Sequence, residues 1–220
     1  MTARPRLLPD DEAGRAQAIV ALRRGSLVAL PTDTVYGIAV ALDAVDGLER
    51  LFAAKGRPPD KGVVLLLADH RQADEVARLD AAAHVLAAAF WPGGLTLILQ
   101  QRPDVPLPAA LTGGALTVGV RLAAHDAARS LARALGPLPV TSANRSGEPD
   151  ATDAAGVLAR FGDALDLEIV LDGGPARGGV PSSVVDCSAG PARLLRAGAV
   201  PLDALAAVLD EAELVHRLRA

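Results

Sequence analysis

Short apolar runs alternate with stretches of helical spacing over most of this chain. Asp10 and Asp11 stand ahead of Ala16, Ile19, Val20 and Arg23 at helical intervals, with Gly25 behind them, which predicts a capped helix. "SLVAL" reads as a buried strand that Pro31 ends. A second helix is expected from about Asp43 to Lys55, with Val45, Leu48, Leu51 and Phe52 as its apolar stripe. "GVVLLL" (62–67) has strand length, and "AAAHVLAAAF" (81–90) is an Ala-rich helix stopped by "WPGG". "LTLIL" (95–99) and "ALTVGV" (115–120) are two further strands across a Pro-rich loop. A helix at about 125–135, the strand "LPVT", the polar loop "SANRSGEPDAT" and a helix from Asp153 to Phe161 follow. "EIVLD", the loop "GGPARGG", strands near 183–187 and 192–196, and a terminal helix over about 201–218 complete the pattern.

Strands alternate with helices, yet two pairs of strands follow one another without a helix between them. That predicts an α/β fold with a mixed sheet and flanking helices. No repeat and no linker interrupts the 220 residues, so a single domain over 1–220 is expected. Half of the residues are apolar but only 2% are aromatic, so the core must be built from Ala, Val and Leu. No secretory signal and no bilayer-length apolar run is visible, which favours the cytoplasm and no membrane partner. The formal net charge of −4 argues against whole-surface nucleic-acid binding while leaving room for a local basic cleft. Cys187 is the one cysteine, which excludes an intrachain disulfide and reads as a small buried hydrophobe.

No Walker loop, no dinucleotide fingerprint and no H-E-x-x-H occurs, and the four histidines are far apart, so no dedicated metal site is predicted. Chemistry gathers instead in loops beyond predicted strands, where α/β sheets usually hold ligands. "PTDTVYG" offers the hydroxyls of Thr32 and Thr34, although for that stretch alone a turn that satisfies its own backbone is the favoured reading. Asp33 could cap that loop or face a substrate amine. "KGRPPDK" sets Lys55, Arg57 and Lys61 against one aspartate, a density of cations that fits a polyphosphate and equally a solvated basic turn. Arg121 ends the apolar "TVGVR", so it needs either a carboxylate ligand or a structural ion pair. The loop 141–152 carries Ser142, Asn144 and Thr152, and Ser182, Ser183 and Arg196 sit at later strand edges.

Taken in order, "PTDTVYG", "KGRPPDKGVVLL", "WPGGLTLIL", "TVGVR", "TSANRSGEP", "LDGG" and "LLRAGAV" resemble the YrdC-like family of threonylcarbamoyl-AMP synthases over roughly residues 25–200. The resemblance implies a twisted α/β sheet around a large electropositive cavity. It also implies a nucleotidyltransferase that condenses L-threonine, bicarbonate and ATP into threonylcarbamoyl-adenylate and pyrophosphate. Mg²⁺ would ride on the ATP phosphates, and a downstream transferase complex would move the group to tRNA, with at most weak tRNA contact by this chain. Carried over by position, Thr34, Arg121 and Ser142 would bind threonine. Lys55, Arg57, Lys61, Thr117, Asn144, Thr152 and Arg196 would bind ATP, with Lys55 and Arg57 supplying electrostatic catalysis along the phosphates. Thr32, Ser182 and Ser183 are further candidates.

The sequence departs from the family's usual pattern at Gly94, where a proline is common, in "RLAAH" after Arg121, and at Ser182–Ser183. The chain also has none of the additional domains of longer members, so a single-domain synthase is expected. Two alternatives stay open at this stage. One is a non-catalytic RNA-binding or ribosome-maturation factor, and the other is an enzyme that forms a carbamoyl-adenylate without threonine.

Overall fold

The computed structural model describes residues 4–56, 62–163 and 166–218. Its first third contains β1 (Arg6–Pro9), α1 (Glu12–Arg23), β2 (Leu27–Leu30), β3 (Gly37–Ala39), α2 (Gly47–Lys55) and β4 (Val64–Leu66). The middle holds α3 (Arg71–Val76), β5 (Ala77–Arg78), α4 (Ala81–Phe90), β6 (Leu95–Gln101), α5 (Ala109–Thr112), β7 (Thr117–Arg121), α6 (Asp126–Leu135) and β8 (Leu138–Ser142). The last part adds α7 (Ala154–Phe161), β9 (Leu167–Asp172), β10 (Ser183–Asp186), β11 (Ala192–Arg196), α8 (Leu202–Glu211) and β12 (His216–Arg217).

The strands form one twelve-stranded sheet, ordered β1-β9-β2-β3-β8-β4-β7-β6-β10-β11-β12 with β5 paired to β6. It is mixed, as the consecutive strands demanded. β1, β9 and β2 run parallel, whereas β6 pairs antiparallel with β7 and β10 with β11. Successive strand residues point to opposite faces, and here the two faces feed separate cores. Leu27 and Ala29 of β2 belong to the core that also holds residues of α2, α4, α7 and α8, while Val28 and Leu30 belong to the core that holds residues of α1 and α6.

Small side chains decide how the helices lie. The buried stripe of α1 is Gly14, Ala18, Ala21 and Leu22, not the predicted stripe through Val20, which is 50% exposed. Alanine on the inner face lets the helix approach the sheet closely, and the larger side chain is turned outward. The second helix begins only at Gly47, because Asp46 adopts a left-handed backbone (φ 52°), and Val45 stands 80% exposed before it. The terminal helix stops at Glu211 rather than running to about 218, and His216–Arg217 joins the sheet instead.

Tyr36, the chain's one tyrosine, is fully buried in this Ala-rich core. Its hydroxyl donates to the Gly174 carbonyl at 2.7 Å and accepts from the Gly173 N–H at 3.1 Å. Desolvation pushes its pKa up to about 12, so it remains a neutral donor. The ring thus anchors the glycine-rich loop to "PTDTVYG". The loop adds two backbone bonds, from Gly178 N–H to the Asp33 carbonyl and from Gly179 N–H to the Thr34 carbonyl. A Cβ on Gly178 would lie 2.8 Å from the Asp33 carbonyl oxygen, so glycine is required for that approach.

Removing the Tyr36 hydroxyl would strip the Gly174 carbonyl and the Gly173 N–H, in a part-buried setting, of their side-chain partner. Tyr36→Phe should therefore lower the free energy of unfolding by about 0.5–1.5 kcal/mol in a denaturant titration; a change near zero would refute the anchoring role. Cys187 is buried, and burial raises its pKa to about 12. Since the thiolate is the reactive form, the native protein should resist a disulfide reagent at pH 8 and become reactive only on unfolding.

Candidate active site

A cavity of about 340 Å³ opens on the sheet between the ends of β2 and β8 and the faces of β4 and β7. That volume falls within the roughly 300–1,000 Å³ typical of small-molecule sites. Its position is broader than the predicted strand-end location. β4 runs antiparallel to β8 and offers Val64 and Leu66, two positions apart, as an apolar wall. Among the described residues, the polar lining comprises Thr32, Thr34, Thr96, Arg121, Thr141, Ser142, Asn144, Asp150, Ser182 and Arg196.

Arg121 is buried, with 6% of its surface exposed. Its Nη2 donates to Asp33 Oδ1 at 2.7 Å, Nη1 to Thr34 Oγ1 at 2.8 Å and Nε to the Gly93 carbonyl at 3.0 Å. Burial lowers its pKa and Asp33 opposes that shift, but a guanidinium remains protonated throughout the accessible range. A guanidinium has five N–H groups; these three bonds leave the second hydrogens of Nη1 and Nη2 for a ligand. Asp33, left open between two roles in the sequence, takes a third: it holds Arg121 and also accepts from the Ala124 N–H at 3.0 Å.

The hydroxyls beside Arg121 have a fixed direction. Thr32 donates its proton to the Val35 carbonyl at 2.6 Å and accepts from the Thr34 N–H at 3.1 Å. The 3.0 Å contact between the two hydroxyls must then be donated by Thr34. With its proton committed to Thr32 and one lone pair taken by Arg121, Thr34 offers a ligand one acceptor site.

Across the cavity, Arg196 contacts Ser182 through Nε and Nη2 to its carbonyl at 3.0 and 2.8 Å, and through Nη2 to its hydroxyl at 3.1 Å. Thr96 completes the group at 2.8 Å from the Ser182 hydroxyl. Arg196 is an exposed residue at the end of β11, yet desolvation still lowers its pKa against the pull of Asp150, and no described carboxylate pairs with it. A guanidinium without a carboxylate partner is a ready partner for an anion. The third cluster is Lys55, whose ammonium donates to the Ser142 carbonyl and, at 3.1 Å, to Asn144 Oδ1. Ser142 Oγ donates to the same Asn144 oxygen at 2.6 Å. Lys55 is 3% exposed and fastens the end of α2 to the 142–148 loop, behind the cavity lining.

Other candidates lie elsewhere. Ser183 is fully buried and exchanges bonds with Val200, donating at 2.7 Å and accepting at 3.0 Å, so it holds the chain after β11. Thr117 starts β7 opposite Gln100, and Thr152 lends its carbonyl to the Ala176 N–H; neither lines the cavity. Arg57 and Lys61 lie outside the described residues. Sequence reasoning passed over Thr96 and Asp150, although both sit inside segments it singled out, because neither follows a strand directly. No group of three metal-ligating side chains occurs among the described residues.

The chain is similar to the threonylcarbamoyl-AMP synthase of Pyrococcus abyssi, with 42% identity over 193 residues, which are 86% of this chain and 55% of that protein. It thus spans about half the length of that relative. It is 38% identical over 205 residues to a putative threonylcarbamoyl-AMP synthase of Mycobacterium leprae, covering 91% of this chain and 90% of the other. The structure of P. abyssi Sua5 complexed with L-threonine superposes with a TM-score of 0.87 at 36% identity, covering 97% of this chain and 62% of that one. The family model Sua5/YciO/YrdC, described as "Telomere recombination", matches residues 20–198, and on that span and these identities the chain belongs to this family.

Proposed function

We propose that this chain is an L-threonylcarbamoyladenylate synthase, joining L-threonine, bicarbonate and ATP with release of pyrophosphate. The observation that carries the reading is Arg121, buried at the cavity wall with two N–H groups outside its three described bonds. Such a guanidinium fits an amino-acid carboxylate bidentately. Beside it, the acceptor site on Thr34 fits the amino group, and Ser142 borders the same space. A relative with 36% identity carries L-threonine in its structure, which supports the assignment.

In the proposed reaction the threonine nitrogen bonds to the bicarbonate carbon and water leaves. A carbamate oxygen then attacks the α-phosphorus of ATP, and the bond to the bridging oxygen of pyrophosphate breaks. The protein's part is to position three anions and offset their repulsion. Arg196 would meet the nucleotide from one side, with Lys55 and Asn144 on the other. For Lys55 this means exchanging contacts with the 142–148 loop. Arg57, Lys61, Thr117 and Thr152 complete the proposed nucleotide set, with Thr32 and Ser182 supporting the amino acid. We assign the cavity an electropositive character from Arg196 and Lys55, because Arg121 is neutralised by Asp33. Mg²⁺ enters on the ATP phosphates as part of the substrate. The product passes to a threonylcarbamoyl transferase acting on tRNA in the cytoplasm, and residues 1–220 act as one domain. No helix among the described residues is long and apolar enough to cross a membrane.

A coupled pyrophosphate assay tests the reaction: release should require ATP, bicarbonate and L-threonine together. Equal rates without threonine would overturn the synthase reading. The two arginines should separate kinetically. Arg121→Lys keeps the charge opposite Asp33 but loses the fork, so the threonine KM should rise about 10- to 100-fold while the ATP KM moves less than about threefold. Arg196→Gln should show the opposite split, and parallel changes in both constants would sink the division of roles.

A further inference from the structure

A second cavity, of about 390 Å³, lies at the opposite end of the β1, β9 and β2 strands from the site above. These strands are parallel, and the cavity collects the residues at their amino ends: Arg4 and Arg6 at β1, Ser26 before β2, and Asp166 and Glu168 at β9. Arg24 and Arg50 close it from the end of α1 and from α2. Four guanidiniums against two carboxylates give a local excess of +2 (4 − 2) in a chain whose net charge is −4.

Arginines without a carboxylate occur elsewhere, Arg23 and Arg129 among them, but here several share one hollow. Arg15, Arg102 and Arg193 each have their own aspartate within 3.0 Å. In the cavity only Arg24 has a carboxylate, Glu168 at 2.5 Å, and Ser26 donates to the other oxygen of that group at 2.6 Å. Arg50 is held by the Gly25 carbonyl at 2.5 Å, and Arg6 by the neutral Gln17. Arg4 makes no described hydrogen bond or ion pair. Three cations, two at β1 and one on α2, therefore line one concavity without an ion-pair partner, and two of them are already held by neutral groups.

We propose that this cavity is a second anion site, distinct from the catalytic cavity, that takes a compact polyphosphate group. Guanidinium forks match phosphoryl oxygens in geometry and charge, and several around one hollow can surround a small polyanion. A nucleic-acid backbone would instead follow a basic stripe along the surface. Here the cations are confined to one hollow, with Asp166 and Glu168 beside them.

The test is calorimetric titration of the full chain with inorganic pyrophosphate at low salt, comparing wild type with Arg6→Gln/Arg50→Gln. The double variant should lose one binding event, or bind at least about tenfold more weakly. Its threonine-dependent pyrophosphate release should stay within about twofold, so this result stands apart from the fate of the synthase reading. Arg4→Gln/Arg6→Gln, which leaves the Arg50–Gly25 contact in place, should weaken binding in the same direction and guards against a folding defect. Pyrophosphate binding left unchanged by both variants overturns the proposal. So does binding of tRNA, but not pyrophosphate, through these arginines, since it would make the cavity part of a nucleic-acid surface.

Discussion

Burying a guanidinium is costly unless each side of it meets a partner. Arg121 meets three, from segments far apart in the chain: Asp33, Thr34 and the carbonyl of Gly93. The ion pair with Asp33, at 2.7 Å, therefore does more than neutralise a charge. It fixes the corner after β2 against the end of β7, and Gly93 brings the turn after α4 to the same point. The glycine-rich loop then closes over that corner through Asp33, Thr34 and Tyr36. A binding surface assembled this way is rigid before a ligand arrives, which lowers the entropy lost on binding.

The scarcity of aromatic residues sets the scale of the architecture. With Ala18, Ala21, Ala127, Ala128 and Ala132 between helices and sheet, layers pack closely and leave little volume to redistribute. The loops obey the same economy of space. A Cβ on Gly94 would stand 2.6 Å from that of Ala199, and one on Gly198 would stand 2.4 Å from the Pro181 carbonyl oxygen. Gly94 thus admits the chain after β11 to the neighbourhood of Thr34.

Long periodic segments were readable from the sequence, as at 81–90 and 153–161, because their burial follows local spacing. Elements decided by distant partners were not. β1 exists through pairing with β9, and β3 is three residues held between β2 and β8. α3 is too polar to stand out. At the site, the ordered segments identified Thr34, Arg121, Ser142, Asn144 and Arg196, all of which border the cavity. What spacing could not reveal was who pairs with whom. Asp33 belongs to Arg121 and Ser183 to Val200, and Lys55 is tied to the loop of Ser142, since each bond joins residues that only folding brings together.

The direction of the hydroxyl line also bears on proton traffic. It runs from Arg121 through Thr34 and Thr32 and stops at the backbone carbonyl of Val35. A guanidinium does not give up its proton at neutral pH, and a peptide carbonyl does not take one. The line is consequently a dead end for proton transfer, able to hold a ligand's amine but not to deprotonate it. In the proposed reaction, the proton shed when nitrogen bonds to carbon must leave with bicarbonate oxygen as water or pass to solvent at the cavity mouth.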